Sequence, residues 1–320
     1  MPEFSFPIID PHAHPGYERK GIDARPGCLE NWLGTSHDRE RVQGMSRAMA
    51  MAIGFPDPGP MNKSVDLPDF TVGHWIEFMD RIGISHMGLQ AMDTESDPPI
   101  SFRWLVPYEY VKEEFLDRHP ERFWGIAGIH YKLGAKNAVK QIERAKRLGF
   151  IGIKMFPPYE GYPNDRKLCY PVYEKCLQYG MHVEIHTGNE GMPGARYKYC
   201  DPVCINDIAV DFPELRIVQL HCGMGMNPES AIWNCRFHEN VYTDISGFLV
   251  RHNPKYAHYA DLIRLMEELI PNKVWFASDF PVWAMTYEDT LRQIKNLPIS
   301  LEFQFKLLRE NAERFYLKRK

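Results

Sequence analysis

The chain has 320 residues, a length that accommodates either two ordinary domains or one barrel of parallel strands and helices. Its 38 basic and 42 acidic residues leave a formal charge of −4, so there is no basic stripe of the kind that neutralises phosphates along a nucleic acid. With 44% hydrophobic and 13% aromatic residues there is ample apolar surface for one large core, yet no run approaches the roughly 20 apolar residues that cross a bilayer. Residues 1–6 carry no basic run followed by an apolar one, and the expectation is a cytoplasmic protein without nucleic-acid or membrane partners.

Short apolar runs rich in β-branched residues alternate with helical patterns along the chain. A strand over 7–12 opens the series. It is followed by a polar, Pro- and Gly-rich segment over 15–70, read as a lid-like insertion of irregular structure rather than a separate domain. Then come helix 72–82 and strand 86–92, helix 108–118 and strand 124–129, helix 136–148 and strand 150–155, and helix 168–179 and strand 182–187. Helix 203–211 precedes strand 216–221; strand 241–246, helix 256–269 and strand 273–279 follow, and helices over 287–295 and 301–315 close the chain. Eight strands with intervening helices make a single TIM-like (β/α)8 barrel over 1–320 the economical α/β reading. Gly83, Gly149 and Gly180 each follow a helical pattern just before a strand, as left-handed C-caps do. The turns entering strands are therefore short and the segments leaving them long, which puts function on one rim.

The seven cysteines, Cys28, Cys169, Cys176, Cys200, Cys204, Cys222 and Cys235, are odd in number and include no CxxC pair, so reduced thiols are expected. Cys200 and Cys204 without a second matched pair make a weak zinc signal.

The residues at the strand ends are strongly polar: His12, His14, His130, Lys154, His186, His221, Asp244 and Asp279. His12 and His14 are one residue apart, and side chains alternate along an extended chain, so both imidazoles can reach one ion. His186 in VEIHTG and Asp279 in FASDFP stand at equivalent strand ends, and imidazoles with one carboxylate suit zinc or another borderline divalent metal such as manganese. A lone histidine at a strand end is more often a satisfied polar residue, but several at corresponding positions of an eightfold pattern point to a site. Asp10 reads either as a carboxylate capping local backbone amides, the preferred reading, or as a partner to a metal ligand.

The motifs IIDPHAH, IHTG, QLHCG and ASDFP resemble those of the amidohydrolase superfamily over nearly the whole chain. GIKMFPPYEGY after the fourth strand and the ending ENAERFY look like the amidohydrolase-related branch that includes aromatic-acid and aminocarboxymuconate-semialdehyde decarboxylases besides hydrolases. The resemblance implies one divalent ion on His12, His14, His186 and Asp279, with His221 handling a proton or polarising what the ion binds, and it makes a homodimer plausible. Lys154 reads first as a structural or substrate-binding lysine, ion-paired with Glu184, and second as the carboxylated lysine that bridges two metals in binuclear members. At least one of Arg47, Arg103, Arg196 and Arg251 is expected to pair with a substrate carboxylate. The rim aromatics Trp32, Trp104, Phe156, Tyr159, Phe280 and Trp283 suit a small cyclic or aromatic substrate, although core packing explains aromatics equally often.

Three functions follow. The leading one is hydrolysis of a small cyclic amide, lactone or ester, with Asp279 taking a proton from the attacking water and His221 stabilising the developing oxyanion or supplying a proton to the leaving group. The alternative is non-oxidative decarboxylation of an aromatic or unsaturated carboxylic acid at the same ion. A barrel that keeps its metal for structure alone predicts a closed ligand shell.

Overall fold

Among the residues that the computed structural model describes, 4–15, 30–33, 71–95, 101–190, 194–249, 256–280 and 287–318, ten strands form one sheet. They are β1 (Ile8–Ala13), β2 (Glu30–Leu33), β3 (Ile84–Glu95), β4 (Ser101–Val106), β5 (Phe123–Gly128), β6 (Gly152–Met155), β7 (His182–His186), β8 (Ile217–Leu220), β9 (Val241–Asp244) and β10 (Val274–Trp275). Eight of them, in the order β1, β3, β5, β6, β7, β8, β9, β10, run parallel. β1 and β5 are buried at every position, as strands covered on both faces must be. The sheet curls until its ends meet: Ala13 bridges Phe280 in parallel, making the α/β barrel that the alternation of elements predicts.

The covering helices form where apolar residues recur at helical spacing. In Val72–Ile82 the buried residues are Trp75, Phe78, Met79 and Ile82, the Thr71 hydroxyl caps the N-terminus by accepting from His74 N, and Gly83 ends the helix at φ 87°. That conformation costs a residue without a Cβ little. Helix Pro228–Phe237 is absent from the sequence reading. Its start is marked by Asn227, which accepts from Ser230 N, and by a proline in the first turn, but Trp233 and Phe237 stay exposed while Ala231, Ile232 and Cys235 are buried. The apolar residues therefore circle the helix instead of lying on one stripe.

The far half of β3 leaves the barrel and pairs antiparallel with β4, from Met92 opposite Val106 to Glu95 opposite Arg103. β4 pairs antiparallel with β2, so residues 30–33 of the insertion add a strand to a rim ribbon; the rest of 15–70 lies outside the described residues. At the opposite end, the C-terminal helical run packs Phe315 and Tyr316 against Trp124, His182, Tyr242 and Trp275. That closes the end of the barrel where strands begin and leaves the strand C-termini as the open side. No described helix is long and apolar enough to cross a membrane.

Close approach of β3 to β1 requires Gly88, because a Cβ there would stand 2.1 Å from Pro11 O and 2.7 Å from Trp124 Nε1. Gly88→Ala is therefore expected to destabilise the protein by about 3 kcal/mol, the upper end of overpacking costs, since backbone cannot step aside. Denaturant unfolding reads this as a lower midpoint with an unchanged slope; an unchanged midpoint would contradict the packing described.

Candidate metal centre

β1 and the segment after β10 build the centre together. Asp279 N donates to His12 O and His14 N to Phe280 O, each at 2.8 Å, so the backbone fixes both histidines beside the aspartate. The Nε2 atoms of His12 and His14 are 3.3 Å apart, and Asp279 Oδ1 lies 3.2 Å from the first and 3.0 Å from the second. These three residues offer ligand atoms all within 4.8 Å of one another. Lys154, from β6, brings its Nζ to 2.9 Å from His12 Nε2 and 3.4 Å from His14 Nε2.

His186 ends β7 and His221 follows β8. Their ring centroids are 4.7 Å apart, and the His221 ring lies 5.3 Å from that of His12. His186 stands outside the tight trio, with the Phe156 ring edge-on to it at 4.9 Å. Both of its ring nitrogens are buried and neither makes a well-formed hydrogen bond; the backbone of Gly188 and Asn189 is the polar company that one ring N–H has, which leaves the other nitrogen's lone pair without a donor. A polar atom in that state loses its hydration without return, and a cation would satisfy it.

Burial holds every imidazole in its neutral form. It pushes His12 and His14 well below the ordinary histidine range, with the Lys154 charge adding to the effect, and it does the same to His221 with His186 as the next cause. His186 is pushed down to about 3. Neutral imidazoles keep a lone pair, the state a metal requires. Burial also lowers Lys154, opposed by the charges of Asp279 and Glu184. Three neutral nitrogens and one carboxylate fit a divalent ion chemically.

Three other carboxylates support this arrangement. Asp10 accepts from the backbone of His12 and Ser278 at 3.3 and 3.0 Å, from Ser278 Oγ at 2.6 Å and from Tyr287 OH at 3.1 Å. It fastens β1 to the segment after β10, with burial raising its carboxyl to about 6. Glu184 accepts from Gln90 Nε2 at 2.9 Å and from Tyr316 OH at 3.0 Å, and lies 3.0 Å from His182 Nε2. Strand parity predicts a direct Lys154–Glu184 ion pair. None is present among the described residues, because these partners occupy the Glu184 oxygens and the Lys154 amine turns to the histidines. Asp244 places Oδ2 3.6 Å from His12 Nδ1.

Two of the candidate residues sit in left-handed backbone: His221 at φ 63° and Asp279 at φ 53°, with Cys222 beside them at φ 43°. Such conformations cost of order 1–3 kcal/mol each and persist where the surroundings impose them. Here the Asp279 N–H to His12 O bond and the His221 N–H to Asp244 Oδ1 bond at 2.9 Å do so.

Of the remaining expectations, Arg196 is exposed, in the segment after β7, with its N–H donating to Pro158 O at 2.9 Å. Arg47, Arg251 and Trp283 lie outside the described residues. Phe156, Tyr159, Phe280 and His130 are buried. The described cysteines, Cys169, Cys176, Cys200, Cys204, Cys222 and Cys235, are free thiols, and Cys200 and Cys204 take no part in the donor cluster. Ser246 and Ser278, which hold Asp244 and Asp10, are absent from the sequence reading; their one signal is a position two residues after, or one before, an inward aspartate.

A family model described as amidohydrolase matches residues 9–318. No curated protein matches significantly. Among solved structures the chain is similar to an uncharacterised TIM-barrel protein, Bb4693, from Bordetella bronchiseptica, at 22% identity over 96% of this chain and 97% of that one, TM-score 0.68. It is similar to 2,6-dihydroxybenzoate decarboxylase from Rhizobium at 18% identity, over 78% and 88% of the two chains, TM-score 0.56. A third similarity, at 16% identity over 97% of each chain and TM-score 0.60, is to a variant 5-carboxyvanillate decarboxylase from Novosphingobium aromaticivorans with bound manganese and 3-methoxy-4-hydroxy-5-nitrobenzoic acid.

Proposed function

The chain belongs to the amidohydrolase family, and from that premise we propose that it is a metal-dependent decarboxylase of a small aromatic or unsaturated carboxylic acid. The observation that carries this reading is the buried Lys154 amine, 2.9 Å from His12 Nε2. An ammonium beside the metal donors suits an anionic substrate group better than a neutral lactone or amide. Decarboxylases among its structural neighbours support the same ranking, which reverses the order that the sequence alone favours.

In this reading His12, His14, His186 and Asp279 hold one divalent ion, zinc or manganese, and His221 and Asp279 are the catalytic residues. When bound, the ion supplies a Lewis acid that orients the substrate's carboxylate or hydroxyl. The Lys154 ammonium binds substrate carboxylate, with the exposed Arg196 as a further candidate and with Arg251, outside the described residues, as another that the sequence alone offers. Neutral His221 picks up a proton from solvent at Nε2 and delivers it to the carbon that bears the carboxylate. As the C–C bond breaks, its electron pair stays on that carbon and forms the new C–H bond, CO2 departs, and one proton is consumed. The buried surroundings exclude water from the carbon at that moment. In a hydrolytic reaction the same residues would serve, with Asp279 taking the proton of the attacking water.

Run in D2O with hydroxybenzoates as substrates, the reaction is expected to place one deuterium on the carbon that lost its carboxylate, visible by proton NMR. A product that keeps its carboxylate would overturn the reading. Lys154→Met is expected to raise KM about 10- to 100-fold, the equivalent of losing a charged hydrogen bond worth about 1.5–3 kcal/mol, with the ion retained. Two ions per chain, one of them lost in Lys154→Ala, would instead make Lys154 a bridging carbamate.

A further inference from the structure

The end of β9 carries a chain of contacts that leads away from the candidate ion. Ser246 Oγ lies 2.7 Å from His221 Nδ1 and donates to Asp244 Oδ1 at 2.5 Å. The same Oδ1 accepts the backbone N–H of His221 at 2.9 Å and that of Ser246 at 3.0 Å. Two amide hydrogens already aim at Oδ1, leaving no room there for a hydrogen of its own. The only polar hydrogen that the Ser246 hydroxyl owns must therefore go to Asp244, and what it offers His221 is a lone pair. A lone pair facing Nδ1 requires a hydrogen on Nδ1, and a neutral imidazole carries only one.

We propose that Ser246, backed by Asp244, is a positioning residue that fixes His221 as the Nδ1–H tautomer and leaves Nε2 as the proton-accepting atom that faces the reaction. All three residues are buried, so no water competes for the hydroxyl and the order of donors is set by the protein. The left-handed backbone of His221, φ 63°, serves the same end, because it brings the His221 N–H onto Asp244 while the ring meets Ser246. Asp244 acts on both halves of the centre, with Oδ1 governing His221 through Ser246 and Oδ2 lying 3.6 Å from His12 Nδ1. The catalytic part of this inference rests on the role of His221 proposed above; the tautomer does not.

The test separates the two. In zinc-loaded protein labelled with 15N-histidine, His221 is assigned by the resonances that vanish in His221→Gln. The expected spectrum has a protonated Nδ1 and an unprotonated Nε2, and Ser246→Ala is expected to abolish that preference while zinc content stays at one per chain. In the same variant kcat falls about 10- to 100-fold with KM unchanged, the size typical of losing a group that orients a working residue. Ser246→Thr, which restores the hydroxyl, recovers the tautomer and most of kcat. A wild-type His221 protonated on Nε2, or the same tautomer in wild type and Ser246→Ala, would overturn the proposal whatever reaction the enzyme performs. An altered tautomer with unchanged kcat would leave the hydrogen-bond order standing and refute the role of His221 in the reaction.

Discussion

His186→Leu is expected to abolish tight metal binding and activity while leaving the metal-free protein no less stable than wild type. Both His186 ring nitrogens are buried without a well-formed hydrogen bond; the backbone of Gly188 and Asn189 can serve the one that carries a hydrogen, the other is left unsatisfied without an ion, and an unsatisfied buried polar group costs about 1–3 kcal/mol. Leucine fills a similar volume without that penalty. In the wild type the ion offsets the penalty: at a free concentration a thousand times its Kd, a ligand stabilises the native state by about 4 kcal/mol. The signs therefore differ. Adding zinc or manganese raises the Tm of wild type and leaves that of His186→Leu unmoved, while without metal the variant melts at the same temperature or above. Calorimetry with and without chelator reads all four states. If His186→Leu still bound one ion with wild-type affinity, the ion would sit on His12, His14 and Asp279 alone.

The second large effect belongs to His221. His221→Asn is expected to lower kcat by about 10²- to 10⁴-fold, the range for removing a positioned proton carrier, with one ion per chain retained. The ring lies 4.7 Å from His186 and 5.3 Å from His12, centroid to centroid, near enough to act on a molecule at the donor cluster. Metal analysis and steady-state kinetics on one preparation separate this outcome from loss of a ligand. Loss of the ion together with kcat would move His221 into the coordination set.

Much of this architecture is legible in the chain because its signals are local. The parallel strands announce themselves as short β-branched runs, and the helix over Val72–Ile82 by its period and its cap. The ribbon of β2, β3 and β4 does not, since its pairing joins Glu30 to Arg103 and Thr94 to Trp104, partners that no short window contains. The trio His12, His14 and Asp279 is visible as polar residues ending strands of an eightfold pattern. Its fine positioning is not: the register of β1 against β3 slips between Asp10 and Ala13, so simple alternation cannot say which side chains point inward. Parity puts Asp10 on the side of His12 but does not reveal its partners, Ser278 and Tyr287. Parity likewise pairs Lys154 with Glu184, while Gln90 and Tyr316, each distant in the chain, reach that carboxylate first. Serines 246 and 278 are invisible for a simpler reason. A hydroxyl just past a strand is ordinary until its partner is known.

The most direct measurement follows CO2 from metal-loaded protein offered hydroxybenzoates in parallel with lactones, before and after chelation. The expected result is one CO2 per acid consumed, none once the ion is removed, and recovery on adding back zinc or manganese. Ring opening of a lactone with no CO2 from any acid, or CO2 release undiminished after the metal is stripped, would contradict it.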